Sequence, residues 1–267
     1  MKNDDQIRQI VKNKYSKIVA DSQPSCCCGC SNDEVKDYTI FSDSYQHLEG
    51  YVADADLNLG CGLPTEFAGI KAGDHVLDLG SGAGNDCFVA RAEAGETGKI
   101  TGLDFTGEMV AKARQNAAKL NYNNVEFIEG DIENMPVADS SRDVVISNCV
   151  LNLVPDKEKA FSEIFRVLKA GGQFCISDVV IEGSLPGGLK KDAELYAGCV
   201  SGALQKPDYL KIIEASGFSG ITIHKQKEVE LPDELLMKYL DEETLQNFRD
   251  SKTGIFSITV SAEKPMS

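Results

Sequence analysis

The feature that most limits how this chain can fold is a glycine-rich turn that follows a short apolar run. Residues 76–84 read Val-Leu-Asp-Leu-Gly-Ser-Gly-Ala-Gly, and a second apolar run ends at Asp104, twenty residues after Gly84. The first run predicts a buried strand, and the glycines let the backbone turn tightly and approach a ligand without an intervening Cβ. Asp104 is then placed to accept hydrogen bonds from two ribose hydroxyls. The dinucleotide fingerprint needs glycine at position 85, which is Asn85 here, so the pattern disfavours NAD and FAD.

This stretch resembles motif I of the class I S-adenosylmethionine-dependent methyltransferases, a hydrophobic-hydrophobic-Asp-hydrophobic-Gly-x-Gly-x-Gly run followed by an acidic strand end. The resemblance implies S-adenosylmethionine as the cofactor. The simpler alternative is a structural turn that only leads the chain out of a strand. The glycines, the strand and the spaced acid occur together, which favours the cofactor site.

The composition excludes several classes of partner. The chain has 267 residues, of which 42% are apolar, enough for the core of one large domain. Its net charge of −15 would repel a phosphate backbone, so we do not expect a nucleic-acid partner. No stretch approaches the roughly 18 uninterrupted apolar residues of a membrane helix. The N-terminal stretch Met1–Lys14 is polar and has no signal-peptide core, so we expect a cytosolic protein without a membrane partner.

Alternating strand and helix patterns predict the fold class. Strands are predicted at His75–Leu79, Ile100–Asp104, Val125–Glu129, Val144–Asn148, Gln173–Val179, Gly220–His224 and Phe256–Ala262. Helices are predicted at Asp4–Ala20, Asp86–Ala94, Glu108–Leu120, Lys157–Leu168, Asp192–Cys199, Asp208–Ser216 and within Pro232–Arg249. The helix that ends at Leu168 runs into Ala170-Gly171-Gly172, a glycine stop. Together these elements predict an α/β fold with a doubly wound, mostly parallel seven-stranded sheet, Rossmann-like as in class I methyltransferases.

We expect three segments along the chain. Residues 1–60 would form an N-terminal helix and a cysteine-rich lid segment, in which Asp21–Asp37 reads as a loop. Residues 61–182 would form the cofactor-binding Rossmann-like domain, and residues 183–267 a substrate segment that completes the sheet.

One cysteine follows a strand at the place where the topology predicts a ligand. In the strand order 3-2-1-4-5, ligands bind beyond the carboxyl ends of strands 1 and 4. Cys149 directly follows strand 4, which directs its thiol toward the transferable methyl group. The alternative is that Cys149 is a small buried hydrophobic residue, as cysteines outside disulfides often are.

The sequence shows little sign of a general base near the strand tips. His47, His75 and His224 lie outside the strand-tip loops, and His75 is at the wrong end of strand 1. Histidines in such positions are more often surface or packed residues. The sequence therefore favours a nucleophile that needs no deprotonation.

Thiols offer another kind of chemistry. The chain has nine cysteines, many for a reducing compartment where thiols are not kept for stable disulfides, so some should have chemical roles. Soft thiolates select thiophilic centres, and Cys61, Cys149 and Cys199 come from three separate segments, as the ligands of such a centre often do. Structural zinc is the weaker interpretation because only one C-x-x-C pair, within 27–30, is present.

Most of the chain resembles the arsenite methyltransferases of the shorter microbial type. The matching stretches are 57–64 (Leu-Asn-Leu-Gly-Cys-Gly-Leu-Pro), 76–87, 147–156 (Ser-Asn-Cys-Val-Leu-Asn-Leu-Val-Pro-Asp), 165–172 and 196–204 (Tyr-Ala-Gly-Cys-Val-Ser-Gly-Ala-Leu). The glycine motif is shared by all class I enzymes. The cysteine-bearing stretches are close to diagnostic of this family.

The resemblance implies that Cys149 and Cys199 bind trivalent arsenic as thiolates, and that Cys61 is a third ligand for inorganic arsenite. The arsenic lone pair would then attack the methyl group of S-adenosylmethionine, for which no base is required. The substrate would be a small molecule, arsenite or its glutathione adduct, and the role of the reaction arsenic detoxification. An upstream cysteine of the family joins a disulfide exchange that thioredoxin or glutathione resets. Its candidates here are Cys26, Cys27, Cys28 and Cys30.

The resemblance also implies which residues contact the cofactor. They come from the glycine turn, from the ends of strands 1, 2 and 4, and from the segment after strand 3. The expected contacts are Asp78, Gly80, Ser81, Gly82, Gly84, Asp104, Asp131, Ile132 and Asn148. We interpret Cys87 and Cys175 as packed core thiols.

Two other functions stay open. The chain could be a methyltransferase for a small organic acceptor, quinone-like or thiol, with the cysteines incidental. It could also be a non-enzymatic protein that sequesters a metalloid on the Cys-Cys-Cys-Gly-Cys run. The intact glycine turn and Asp104 argue against the second alternative.

Overall fold

The computed structural model describes residues 4–21, 43–185, 202–230, 233–237, 240–251 and 253–266. The strands are β1 His75–Leu79, β2 Lys99–Asp104, β3 Val125–Glu129, β4 Arg142–Asn148, β5 Leu168–Glu182, β6 Ser219–Glu228 and β7 Gly254–Glu263. They form one seven-stranded sheet in the order β3-β2-β1-β4-β5-β7-β6. Strands β1 to β5 pair in parallel, and β7 is antiparallel to both β5 and β6. The predicted doubly wound, mostly parallel sheet is confirmed.

The helices are α1 Asp4–Asp21, α2 Asn85–Ala94, α3 Gly107–Leu120, α4 Lys157–Val167, α5 Lys206–Ala215, α6 Asp233–Leu236 and α7 Glu242–Asp250. Local sequence sets several of their ends. The Asp156 carboxylate accepts the Lys159 N–H at 2.9 Å and caps α4, and Asn121 ends α3 in the left-handed region with φ 53°. No helix in the described part of the chain is long and apolar enough to cross a membrane.

The core lies on both faces of the sheet because successive strand residues point to opposite sides. Leu77 and Leu79 of β1 pack in one cluster with residues of α4 and α5, whereas Val76 packs in another with residues of α2 and α3. Each face therefore has its own layer of helices. The site lies where β1 and β4 pair side by side, with Leu79 opposite Ser147, because the glycine turn follows one strand and Cys149 the other.

The glycine stop was predicted in the wrong place. Helix α4 ends at Val167, and Leu168 is already extended. Gly171 and Gly172 lie inside β5, which begins five residues earlier than predicted. The reason is pairing: Leu168 pairs with Arg142, and the Gly171 N–H donates to the Lys264 carbonyl at 2.9 Å. These contacts draw the segment into the sheet.

Two predicted regions lie outside the described residues. They are the cysteine-rich run with Cys26, Cys27, Cys28 and Cys30, and the predicted helix at Asp192–Cys199.

Candidate functional site

A cavity opens beyond the carboxyl ends of β1, β2 and β4, as the strand order predicts. It encloses about 1130 Å³, its open mouth included. Of the residues predicted to contact a cofactor, those that line it are Gly80, Ser81, Gly82, Asp104, Asp131, Ile132 and Asn148. Cys149 lines it as well. The glycine turn, the spaced acid and the strand-4 thiol therefore share one cavity.

The three glycines of the turn differ in their surroundings. All are in the left-handed region, with φ 70° at Gly80, 51° at Gly82 and 100° at Gly84. A Cβ on Gly82 would meet no atom within 4 Å, so this glycine faces open space. A Cβ on Gly84 would lie 2.8 Å from the Phe127 ring, and Gly84 does not line the cavity. Gly84 thus packs beneath the turn, and its contact with a ligand stays a prediction.

Asp104 ties the glycine turn to the end of β2. Its carboxylate accepts the Gly82 N–H at 3.0 Å and the Thr106 N–H at 2.8 Å. Burial raises the pKa of the carboxyl, and these two backbone hydrogen bonds lower it in part. A carboxylate has about four lone-pair positions, so it keeps acceptor capacity for a ligand.

Asp78, another expected cofactor contact, does not line the cavity. It is buried beneath the turn and accepts the Cys87 thiol at 3.2 Å. Burial and then the neighbouring Asp86 raise the pKa of Asp78 well above its usual range. Cys87 and Cys175 are fully buried in the core, as predicted.

A second polar cluster at the cavity wall was missed by sequence reasoning. The Asn148 amide donates to the Tyr45 hydroxyl at 2.5 Å, and that hydroxyl donates to the Asp86 carboxylate at 2.9 Å. Burial raises the pKa of Asp86 to about 6, although the hydrogen bonds from Tyr45 and Asn148 lower it. Asp86 directly follows the glycine turn and could have been suspected, whereas nothing in the sequence connects Tyr45 to this site.

Helix α1 reaches the mouth of the cavity. Arg8, Val11 and Tyr15 line the cavity. Arg8 forms ion pairs with Asp131, at 3.6 Å, and with Glu133. The amphipathic pattern predicted this helix, but it did not reveal what the helix packs against.

The cavity lining favours a cationic ligand. Among the described residues, four acids line it, namely Asp56, Asp86, Asp104 and Asp131, against one basic residue, Arg8. The described lining contains no histidine. Ser81 Oγ and Thr106 Oγ1 are buried and have no hydrogen-bond partner among the described residues. Both residues line the cavity, so these hydroxyls fit a polar ligand there.

Cys149 occupies a strained backbone position at the tip of β4. Its φ is 60°, in the left-handed region that costs an L-residue about 1–2 kcal/mol. The Cys149 N–H donates to the Ser177 carbonyl at 2.8 Å, which fixes the turn out of the strand. Strain of this kind is concentrated at functional sites.

Cys61 lies behind the cavity wall, in the same apolar cluster as Cys149. We call this group the sulfur cluster; its buried members are Cys61, Cys149, Val179, Val229, Leu236, Leu240 and Ile255. Cys61 and Cys149 are each 2% exposed, and Cys61 does not line the cavity. The third predicted ligand, Cys199, lies outside the described residues. Two of the three predicted thiols are thus brought into one cluster.

A buried polar group lies beside the two cysteines. Burial, and then the Asp178 carboxylate, raise the pKa of the Tyr209 phenol well above its usual value, and both cysteines add to this rise. The Tyr209 hydroxyl donates to Asp178 at 3.2 Å. Burial raises the pKa of Asp178 to about 7, although the nearby Lys157 ammonium lowers it.

Comparison with known proteins gives a consistent result. A family model described as a methyltransferase domain matches residues 70–217. An arsenite methyltransferase of Halobacterium salinarum is 42% identical over 236 residues, which is 84% of this chain and 60% of that protein. An arsenite methyltransferase of Aquipseudomonas alcaligenes is 32% identical over 88% of this chain and 68% of that protein. The chain thus spans roughly three fifths to two thirds of the length of these relatives.

A solved structure is also similar. It is an arsenic(III) S-adenosylmethionine methyltransferase from Chlamydomonas reinhardtii, with a TM-score of 0.64 and 32% sequence identity. The match covers 88% of this chain and 75% of that one.

Proposed function

Since the chain belongs to the arsenite methyltransferase family, we propose that it transfers a methyl group from S-adenosylmethionine to trivalent arsenic held by cysteine thiolates. The observation that carries this proposal is the position of Cys149. It lines the cavity and also packs in the sulfur cluster with Cys61. A group bound to its sulfur would therefore face the cavity.

The residues around the cavity fit S-adenosylmethionine. Gly82 leaves room for close approach of the ligand, and Asp104 suits the ribose hydroxyls. Asp56 and Asp86 supply negative charge for a ligand that carries an ammonium group and a sulfonium. Asp131 and Ile132 also line the cavity, and the family resemblance assigns them to the adenine. When bound, the cofactor would supply a methyl group on a positively charged sulfur, and a nucleophile with a lone pair can accept that methyl group without first losing a proton.

The cysteines fit a soft, thiophilic substrate. For each ligand exchanged at arsenite, an As–O bond breaks and an As–S bond forms, and the thiol proton leaves with the hydroxyl as water. The apolar side chains of the sulfur cluster exclude competing water from the thiols. The protein's main contribution would be to hold arsenic in line with the methyl group, and such positioning can supply much of the acceleration of a transfer step.

Arsenic coordination requires reduced thiols, which favours a reducing compartment such as the cytosol, and thioredoxin or glutathione as the reductant. We assign Cys199 as an arsenic ligand together with Cys149, with Cys61 as the third, following the family pattern around residues 196–204.

The test is a methyl-transfer assay with labelled S-adenosylmethionine, excess thiol, and either arsenite or a demethylated quinone as acceptor. We expect the wild-type chain to produce methylated arsenic. In Cys149→Ser, we expect the rate of methyl transfer to arsenic to fall by more than the roughly 10–100-fold that is typical when a supporting residue is lost. Transfer to the quinone alone would overturn the proposal.

A matched variant separates the enzyme from a sequestration protein. Serine at all four of Cys26, Cys27, Cys28 and Cys30 removes the cysteine-rich run from the intact chain. We expect this variant to retain arsenite binding and a single round of methyl transfer. Loss of all arsenite binding in it, with normal binding in Cys149→Ser, would indicate sequestration instead.

A further inference from the structure

The backbone of Cys61 is held by hydrogen bonds on both sides. Its N–H donates to the side-chain oxygen of Asn148 at 2.9 Å. Its carbonyl accepts the hydroxyl of Ser257, a buried residue of β7. The two partners come from the tip of β4 and from a strand two places away in the sheet. Neither bond follows from regular secondary structure, because residues 60–62 belong to no strand or helix.

Asn148 forms two hydrogen bonds with this segment. Besides accepting the Cys61 N–H, its amide nitrogen donates to the Gly62 carbonyl at 2.8 Å. A single carboxamide therefore bonds the peptide group that precedes Cys61 and the one that follows Gly62. Asn148 directly precedes Cys149, so the same stretch of chain sets the positions of both thiols.

The glycines on either side of Cys61 make this close approach possible. A Cβ on Gly60 would lie 2.6 Å from the Asn148 amide nitrogen, and a Cβ on Gly62 would lie 2.6 Å from Ser177 Oγ. Such contacts are too short for real side chains, so residues 60 and 62 must lack one. The segment lies flat against the strand tips, and Cys61 carries its only side chain.

We propose that Asn148 and Ser257 are positioning residues that hold the Cys61 sulfur in place to bind arsenic beside Cys149. This inference rests on the proposed function. A thiol held in advance loses less freedom on coordination, so the hydrogen bonds should increase arsenite affinity as well as the rate of transfer. They matter only for ligands that use Cys61, because neither bond involves the Cys149 peptide.

The test compares a ligand that uses three thiols with one that uses two. Arsenite exchanges three oxygens, whereas phenylarsine oxide keeps its phenyl group and exchanges two positions. The binding of each would be measured by equilibrium dialysis and arsenic mass spectrometry on the full, reduced chain. The variants are Ser257→Ala, Asn148→Ala and Cys61→Ser, with Ser216→Ala as the matched control. That control removes a hydroxyl bond to the Ile212 carbonyl at the end of α5.

We expect Ser257→Ala to weaken arsenite binding about five- to tenfold, the effect of one hydrogen bond, with phenylarsine oxide binding changed by less than about twofold. Cys61→Ser should show the same selectivity with a larger loss, and Ser216→Ala no change for either ligand. Ser257 does not line the cavity, so Ser257→Ala should bind S-adenosylhomocysteine as the wild type does. Asn148→Ala should share the selectivity and also weaken cofactor binding, because Asn148 lines the cavity.

Two results would overturn this inference alone: normal arsenite binding in Ser257→Ala and Asn148→Ala while Cys61→Ser is impaired, or equal losses for both ligands. If Cys61→Ser itself binds arsenite normally, the ligand set of the proposed function is wrong and the inference fails with it.

Discussion

The cavity and the sulfur cluster meet at Cys149, yet the two regions differ in charge and in access to solvent. The cavity is open at its mouth, and four carboxylates line it among apolar side chains such as Leu57 and Phe105. The sulfur cluster is apolar and buried, with Val179, Leu236 and Ile255 around the two cysteines. The first suits a cationic ligand that retains part of its hydration, and the second suits a soft neutral ligand bound by covalent As–S bonds.

The cavity and the sulfur cluster are also formed by different parts of the chain. Most of the cavity comes from residues 80–155, together with contributions from α1 and from residues 45–60. The sulfur cluster gathers residues from 61 to 255. A local pattern can therefore specify most of the cavity, whereas only the complete fold brings the cysteines together. This difference suggests that substitutions in one region should leave the other intact.

The largest expected effect concerns the carboxyl of Asp178, which is buried in β5 and accepts the Tyr209 hydroxyl. Burial raises the pKa of Asp178 to about 7 in the folded protein, compared with about 4 in the unfolded chain. Folding therefore favours the protonated acid. Its contribution to stability is complete below about pH 4 and is lost as the pH rises toward 7. Relative to wild type, Asp178→Asn should gain about 2–4 kcal/mol in unfolding free energy between pH 4 and pH 7.5.

Urea unfolding of both proteins at several pH values measures this difference. Comparing the two proteins cancels the contributions of Asp78 and Asp86, whose pKa values are also raised. A difference between the proteins that does not vary with pH would show that burial does not raise the pKa of this carboxyl, which would contradict the prediction.

The next effect is confined to the cavity. Asp104→Ala removes the acceptor for the ribose and for the Gly82 and Thr106 N–H groups. We expect S-adenosylhomocysteine to bind about 30–100-fold more weakly, since hydrogen bonds to a charged group contribute about 1.5–3 kcal/mol. Arsenite binding should stay within about twofold of wild type, as expected for distant, independent sites.

Calorimetric titration with each ligand checks this prediction, and Asp104→Asn, which keeps one acceptor oxygen, should lose less affinity than Asp104→Ala. Equal weakening of arsenite and S-adenosylhomocysteine would mean that the two regions are coupled.

The smallest effect is a pH dependence of cofactor binding. Burial raises the pKa of Asp86 to about 6, so its carboxylate becomes protonated as the pH falls below that value. The ionised form should bind the ammonium group of the ligand. Affinity for S-adenosylhomocysteine should therefore fall by about tenfold between pH 7 and pH 5. Below the pKa of Asp86, the affinity can fall at most about tenfold per pH unit.

The Asp86→Asn variant should bind S-adenosylhomocysteine more weakly at pH 7 than the wild type does. Its affinity should not change between pH 7 and pH 5. Asp56, Asp104 and Asp131 also line the cavity, so the comparison with this variant assigns the pH dependence. A profile for Asp86→Asn that follows the wild-type slope would assign it to one of those other acids.

The contrast also explains what the sequence could predict. The five parallel strands, the glycine turn and Asp104 were recognisable because their spacing reflects local backbone geometry. Cys149 was recognisable because the strand order alone places the residue after strand 4 at the ligand site. The predicted start of β5 was wrong because Leu168 pairs with Arg142 and Gly171 with Lys264, and this pairing overrides the glycine stop signal.

Long-range contacts account for what the sequence did not reveal. The hydroxyl of Tyr45 meets Asp86 and Asn148, residues 41 and 103 positions away in sequence. Ser257 meets the backbone of Cys61 across 196 positions. No periodicity or spacing rule encodes such pairs. They arise only after the sheet has formed and the loops have packed on its edge.

The most direct test of the central claim is X-ray absorption spectroscopy at the arsenic edge, with arsenite bound to the reduced wild-type chain and to Cys61→Ser and Cys149→Ser. We expect an arsenic atom with only sulfur neighbours in the wild type, and one sulfur neighbour replaced by oxygen in Cys61→Ser. In Cys149→Ser, we expect arsenite binding to be lost. Oxygen neighbours in the wild type, or a spectrum unchanged by both substitutions, would contradict the claim that these thiols hold arsenic beside the cofactor cavity.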